Sequence, residues 1–506
     1  MALGNGALAT LAFMASVMVA TPARAQPRDN DFAVDLFQGP VLAPSRVVSM
    51  GGAYTGYAEG IGGLAMNAAA TAARHTHSTR WLELDVDASL SFPLVVFDND
   101  DFDNSGTRDA DYTQYLYLAG GGLLQAGALG VGALADLQRY AVAFPPNEEP
   151  TAVVVGRYHL LAGYHFFAGQ LALGAGLRGL SLGVSAPGHE LSAELATFGV
   201  APELGLLVRP DWSPVRVGVA YRHAASSDVT LESRAVRGAD GIERAGGLIV
   251  PREVTLPWEL AVGVALQVGP RPLNPRYLDA REHATELEAA FARRTRERAA
   301  ERHRLSLAVP SGPERARLLV ELERESIGLE ARQERELERA REHLEGERRA
   351  ILGNWPRDYL LVTLDLLVTG AVETGQSLEQ FLGQGEREGP AEEPGASGPM
   401  LGAAPCRVVA SGAAVNFSPR VGVEIEPAPG LVHTRFGSYY EPNRFAYEPA
   451  ECEGRVGRQH FTFGADVRLG TTSYWGLVNE VTYKLQLAGD LAPRYQSLGL
   501  GLGVWY

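Results

Sequence analysis

Lysine is nearly absent from this chain: Lys484 is the one lysine among 45 basic residues. The arginine bias reads as genomic base composition rather than function. Cysteine is scarce as well. Only Cys406 and Cys452 occur, which excludes cysteine metal clusters and leaves room for one disulfide. Outside the extreme N-terminus there is no apolar run of the roughly 20 residues a spanning helix needs, so a polytopic helical membrane protein is excluded. No H-E-x-x-H zinc pattern is found. Acidic residues outnumber basic ones, for a net charge of −15, and a general nucleic-acid binder is not expected on that ground. What remains is substantial: 506 residues, 46% hydrophobic and 21% charged, too apolar for a disordered chain. Glycine is abundant, at 58 residues.

The first 25 residues read as an export signal. Ala7 to Ala20 are largely apolar, and Ala23 and Ala25 give the small-x-small pattern that precedes cleavage, here before Gln26. No Lys or Arg precedes the apolar stretch, which departs from the usual pattern. No cysteine follows the small residues, so a lipoprotein anchor is not expected.

From Trp81 onward the chain alternates with period two. In Leu82-Glu83-Leu84-Asp85-Val86-Asp87 the even positions are apolar and the odd ones acidic. Trp258, Leu260, Val262, Val264 and Leu266 share one face, opposite Glu259, Gly263 and Gln267. Phe461, Phe463, Ala465, Val467 and Leu469 oppose His460, Thr462, Asp466 and Arg468. Such strands have one oily and one polar face. Their length exceeds the roughly 9–11 residues that cross a bilayer at a tilt. Fourteen segments qualify, near 81–97, 112–126, 128–144, 151–168, 170–185, 194–210, 214–231, 251–268, 358–372, 405–426, 431–441, 457–470, 475–488 and 493–506. The expected fold is therefore all-β: a transmembrane antiparallel barrel of about 14 strands. An even count closes the barrel with both termini on one side. Leu498, Leu500, Leu502, Val504 and Tyr506 end the chain as an oily face with a terminal aromatic. That face resembles the signal read by the barrel-assembly machinery of the outer membrane.

Strands 1–8 then span 81–275 and strands 9–14 span 358–506. Long outer loops are expected at 97–111, 145–150, 185–193, 232–250, 373–405 and 441–456, with short inner turns such as 126–127, 168–170, 210–214 and 470–474. Cys406 and Cys452 fall at the outer side of neighbouring hairpins, and a disulfide between them is expected. Residues 276–357 break the pattern, with 18 Arg against 17 acidic residues and no alternation. They read as two helices, Tyr277–Arg304 and Pro313–Leu352, with Pro313 at a helix start. Leu322, Leu329, Leu337, Leu344 and Ile351 make one narrow apolar stripe. Strand parity puts this coiled-coil-like insertion on the periplasmic side. Either a solvated insertion or an arm for a periplasmic partner fits.

Between the signal and Trp81, residues 26–80 contain Ser45-Arg46, Met50-Gly51-Gly52-Ala53-Tyr54-Thr55 and Asn67-Ala68-Ala69. The paired glycines permit backbone geometry and close approach that other residues do not, and Asn67 can satisfy backbone groups at a turn into a short helix. This segment resembles the N-terminal hatch of the FadL/OmpP1/TodX family of outer-membrane transport proteins. It departs at Asn67-Ala68-Ala69, where the family carries a central proline. Further similarity lies at Leu256–Gly263 and at Arg435–Glu441; residues 276–357 have no counterpart. The resemblance implies a hatch inside a 14-stranded barrel, with Ser45, Arg46, Met50, Gly51, Gly52, Tyr54 and Asn67 as hatch or gating residues. It also implies passage of long-chain fatty acids or aromatic hydrocarbons. Read from the residues alone, a periplasmic tail fits the segment better than a plug.

Motifs for chemistry fall away on context. Gly179-Leu180-Ser181-Leu182-Gly183 fits G-x-S-x-G, and Gly174, Gly176 and Gly179 fit G-x-G-x-x-G, but both lie inside an alternating strand. Asp101, Asp103, Ser105, Gly106 and Asp109 begin a calcium-loop spacing that Tyr112 breaks at the closing position. No enzyme activity, cofactor or metal is expected. Arg157, His159, His165, Arg178, Asp365, Arg435 and Glu480 are expected to line the lumen, joined by Glu83, Asp85, Glu203 and Arg222. Wall electrostatics accounts for these better than a specific site. The expected function is passive uptake of hydrophobic small molecules across the outer membrane of a Gram-negative cell, with membrane lipid and an apolar ligand as partners. The alternative is a non-transporting barrel scaffold whose insertion binds an envelope partner.

Overall fold

The computed structural model describes residues 29–75, 81–94, 99, 104, 111–143, 150–185, 195–229, 236–245, 248–275, 277, 280–353, 356–383, 407–448, 457–474 and 478–505. The expected export signal, both cysteines and Asp101, Asp103, Ser105, Gly106 and Asp109 lie outside them.

Fourteen antiparallel strands close on themselves. They are β1 (Leu82–Pro93), β2 (Asp111–Ala126), β3 (Leu129–Ala143), β4 (Thr151–Phe166), β5 (Leu171–Ser185), β6 (Leu195–Val208) and β7 (Val215–Arg222). The second half comprises β8 (Glu259–Val268), β9 (Leu360–Thr369), β10 (Asn416–Ala428), β11 (Val432–Glu441), β12 (Arg458–Tyr474), β13 (Val478–Ala492) and β14 (Tyr495–Val504). Closure is made by β1 against β14, in register from Asp87↔Gly503 to Pro93↔Ser497. Each strand corresponds to one of the fourteen alternating segments.

Alternation sorts the side chains as expected. Leu84, Leu160, Phe198, Phe436 and Phe461 point outward and are exposed, while Asp85, His159, Arg435 and His460 point inward and are buried. A closed ladder with an apolar outer surface all round is a membrane-spanning barrel, because hydrocarbon tolerates neither an open edge nor an unpaired backbone. No helix among the described residues is long and apolar enough to cross a membrane.

Three segments depart from the expected continuous strands. The segment near 214–231 leaves the wall after Arg222, and Ala225–Asp228 pairs instead with Glu253–Leu256. The segment near 251–268 divides at Pro257, which has no N–H to give the ladder; only Glu259–Val268 is wall. Likewise Arg407–Ser411 pairs with Phe445–Glu448 outside the barrel, and the wall strand starts at Asn416. The β12–β13 turn, expected at 470–474, also shifts. Register irregularities between Arg468 and Tyr474 let β12 run on to Tyr474, so 470–474 is strand.

Short turns cluster at one end, at 127–128, 167–170, 209–214 and 429–431, where β1 begins and β14 ends. Long connections occupy the other end, except the tight Pro493-Arg494 turn. The helices α1 (Ala280–Ala308) and α2 (Pro313–Gly353) leave from the short-turn end, between β8 and β9. Leu322, Leu329 and Leu337 are half-buried along α2, whereas the side chains of Leu344 and Ile351 lie outside the described residues.

The N-terminal segment lies inside the barrel. At the long-loop end Ala33–Asp35 is held in parallel between Glu253–Leu256 and Gly375–Ser377. The chain then descends through short helical turns at Ser45–Ser49, Gly60–Leu64 and Ala68–Thr71 to His75, with almost every residue from 45 to 75 buried. Inward-facing wall glycines make room for it. A Cβ on Gly130 would lie 1.7 Å from Thr71 O, and one on Gly218 2.0 Å from Thr55 O; Gly174, Gly205, Gly263 and Gly437 are similarly covered by segment backbone. We therefore expect Gly130→Ala or Gly218→Ala to cost about 1–3 kcal/mol by overpacking. Gly122→Ala, at an outward site with nothing within 4 Å, should be neutral. Heat-modifiability on gels and the melting temperature in detergent measure the difference.

Candidate functional site

The docking of the N-terminal segment starts at its glycine pair. Gly51 and Gly52 have φ of 61° and 71°, the left-handed region open to glycine without strain. The reversal they make brings Gly51 so close to β11 that a Cβ would lie 2.8 Å from Ser438 N. Met50 is fully buried beneath it. The following N–H groups of Tyr54 and Thr55 both donate to Asp365 Oδ2 on β9, at 2.9 and 2.7 Å. Tyr54 Oη donates to Glu59 O at 3.2 Å.

Asn67 caps the turn Ala68–Thr71: its Oδ1 accepts from Ala69 N at 3.0 Å, and its Nδ2 donates to Thr55 O and Leu206 O, both at 3.1 Å. An asparagine side chain can do all of this at once, and no proline is needed to shape the turn. Wall arginines take the segment's unpaired carbonyls. Arg216 donates to Tyr57 O at 3.1 Å and pairs with Glu59. Arg222 donates to Ala65 O, and Arg209 to Arg74 O at 2.7 Å. Arg74 itself reaches Glu83 at 3.0 Å and Trp81 O at 2.6 Å.

Arg46 enters a buried ion network, pairing with Glu424 of β10 at 3.0 Å. Glu424 also accepts from Tyr359 Oη at 2.7 Å and from Arg435. Arg435 forks onto Asp466 at 2.6 and 2.7 Å. Lys484 stands 4.0 Å from both Asp466 and Asp87. Ser45 is buried beside Gly501, whose Cβ would sit 3.2 Å from Ser45 Oγ.

Of the remaining expected lumen residues, Arg157, His159 and Arg178 meet at one cavity and His165 does not. His159 and Glu203 pair at 2.8 Å, while Arg178 donates to His223 O at 2.8 Å and to Pro257 O at 2.6 Å. Arg157 reaches Leu36 O and Gln38, each at 3.3 Å. Arg157, His159 and Arg178 line a cavity of about 100 Å³ on the long-loop side of the segment. Arg222 and Arg420 line it with them, as do Val41 and Met66. His165 is distant from it, near the short-turn end, in edge contact with Tyr277 at 5.3 Å. The side chain of Glu480 lies outside the described residues.

The sequence reading overlooked Arg209, Arg216, Arg420 and Glu424. Strand parity could have found Arg216, Arg420 and Glu424, since each is an inward position of an alternating strand. It could not have found Glu59 or His75, which sit in irregular chain. Ser181 faces outward with Oγ 3.2 Å from Tyr158 Oη, so its strand makes no nucleophile elbow.

Opposite the cavity, on the lipid side of the wall, lies a groove of about 520 Å³. Gly120, Gly122, Ala133 and Ala135 form its floor, and Leu160, Leu177 and Phe198 its sides. Both spaces are bounded by His159 and Gly179.

No protein-family model matches the chain, and no curated protein matches it. Among solved structures it is similar to the CymD monoaromatic hydrocarbon channel, with a TM-score of 0.43 and 11% identity over 92% of this chain and 97% of that one. It is likewise similar to a TodX monoaromatic hydrocarbon channel mutant (0.44, 10%, 91% and 97%). A Pseudomonas aeruginosa FadL homologue gives 0.39 and 8% over 96% and 98%. Overlays this loose carry no weight for function, and the case for the fold rests on the closed ladder itself.

Two outcomes test the docking. Asp365→Ala strands two buried N–H groups, at about 1–3 kcal/mol each, so amide exchange at Tyr54 and Thr55 should accelerate by about tenfold or more. His75 lies 3.5 Å from Glu59 and 3.8 Å from Asp85. Burial alone would lower its pKa, but these carboxylates outweigh that and raise it from 6.5 to about 9. Its contribution to docking is therefore fully present below about pH 6.5 and lost as pH rises through about 9. Protease protection of the N-terminal segment should fall across that window, and less so in His75→Gln.

Proposed function

We propose that this protein is an outer-membrane channel for passive uptake of hydrophobic small molecules, of the long-chain fatty acid or hydrocarbon type, through a hatch-gated barrel. The observation that carries the reading is the pairing of a plugged lumen with a lipid-facing apolar groove on the two sides of the wall at Gly179, where no side chain stands. A plug packed this closely fills the middle of the lumen, which favours a gated route over a general porin. Cargo captured among the long loops would enter the polar cavity past Val41 and Met66. From there it would leave sideways at Gly179 into hydrocarbon, or through the periplasmic end after movement of the hatch. Apolar cargo gains by the sideways route, since transfer into hydrocarbon is favourable; sugars and ions do not. The resemblance of Met50–Thr55 to the FadL/OmpP1/TodX hatch supports the same reading. Hatch movement would break the Asp365 and Arg216 contacts, so these set the barrier to opening.

Vesicles containing the purified protein test this with labelled oleate, labelled toluene and a labelled disaccharide. We expect oleate or toluene to enter several-fold faster than into protein-free vesicles, with no gain for the disaccharide. Gly179→Leu should slow that entry. Equal entry with and without protein, or entry of the disaccharide, would refute the proposal.

A further inference from the structure

The helices α1 and α2 expose large apolar side chains beyond their own seam. Phe291 of α1 is buried, and Leu318, Leu322, Leu329 and Leu337 of α2 are half-buried. A cleft of about 740 Å³ still separates the two helices, edged by Leu305, Leu322, Gly328 and Leu329. Beyond the seam Val320, Ile327 and Leu307 are 56%, 60% and 65% exposed. On α2, Ala316, Val320, Ile327 and Ala331 share a second stripe, about 150° round from the first at 3.6 residues per turn. Among the described residues, the exposed large apolar side chains of the hairpin lie between 305 and 327, in the half farthest from the barrel. One apolar stripe serves a helix pair; two stripes on one helix serve a bundle.

Charge indicates what completes the bundle. Residues 293–304 of α1 carry six Arg and two Glu, whereas 321–338 of α2 carry seven Glu and three Arg. Nearly all these side chains are exposed, and Arg302 meets Glu323 at 3.3 Å across the hairpin. A basic helix and an acidic helix in one hairpin complement the same two helices of another. Two barrels in one bilayer can share only a two-fold axis along the membrane normal. Around that axis α1 of one copy lies antiparallel beside α2 of its partner, basic against acidic, and like-charged helices sit on the diagonal.

We propose that the hairpin is a dimerisation arm: the distal halves of two copies pack as an antiparallel four-helix bundle, with Val320, Ile327 and Leu307 in its core. The self-complementary charge favours a second copy of this chain over an unrelated envelope protein. At about 1.5 Å per residue α2 is ~60 Å long, so the bundle forms well clear of the membrane surface and does not require the barrels to touch.

The test is the mass of the full-length protein in detergent, by light scattering and native mass spectrometry at low and high salt. The expected result is a dimer that weakens as salt rises. Val320→Glu with Ile327→Glu should give a monomer whose β-sheet spectrum and heat-modifiability are unchanged. A chain with 280–353 replaced by a short glycine-serine linker should also be monomeric, which covers the case in which the double variant unfolds the helices. A wild-type monomer at all salt concentrations, a dimer that survives both changes, or a monomer holding an unrelated protein on the hairpin would each overturn the proposal.

Discussion

Hydrocarbon offers a backbone N–H nothing to bond to, and this one constraint organises the molecule. It forces β1 to meet β14 and forbids a free edge. It also explains why irregular chain is confined to the two ends and the interior. The divisions at Arg222 and Pro257 occur where the wall reaches the long-loop end. There, strands can leave the barrel and pair with one another in the small sheet that grips Ala33–Asp35.

A cylinder of fourteen strands encloses more space than its own inward side chains fill. The N-terminal segment occupies the middle of that space, and two features of the wall admit it. Inward glycines let segment backbone lie against strand backbone, as Thr55 does at Gly218 and Thr71 at Gly130. Inward charges then bond what the segment cannot bond for itself. Its turns are too short to pair all their own peptide groups, so Arg209, Arg216 and Arg222 donate to its carbonyls while Asp365 accepts from its amides. A buried charge without such a partner would be costly. The same arginines therefore could not be neutral wall decoration once the segment is out of place. Docking and wall electrostatics are one structure, which makes the lumen polar even though its proposed cargo is not.

The barrel was legible because period-two alternation is a local property. Leu82–Asp87 or Trp258–Leu266 declares its two faces without knowing its neighbours. The places where reading failed are those where a partner, not the strand itself, decides. Arg407–Ser411 alternates well enough for wall but pairs with Phe445–Glu448 instead, and β12 outruns its expected end through irregular register with β13. The lumen residues show the same division. Parity placed Arg157, His159, Arg178, Asp365 and Arg435 inside, yet gave no hint that Asp365 faces Tyr54 and Thr55, or that His165 is remote from the cavity.

By itself, then, the sequence determined the number of strands, their two faces and the helical interruption, because each is written in spacing along a single segment. Tertiary structure alone decided at which end the N-terminal segment enters the lumen, which arginine meets which carbonyl, and which inward glycines the segment lies against. Those depend on residues as far apart as Arg46 and Glu424, or Gly51 and Ser438, whose meeting is set by barrel closure and by the absence of a side chain at the point of contact.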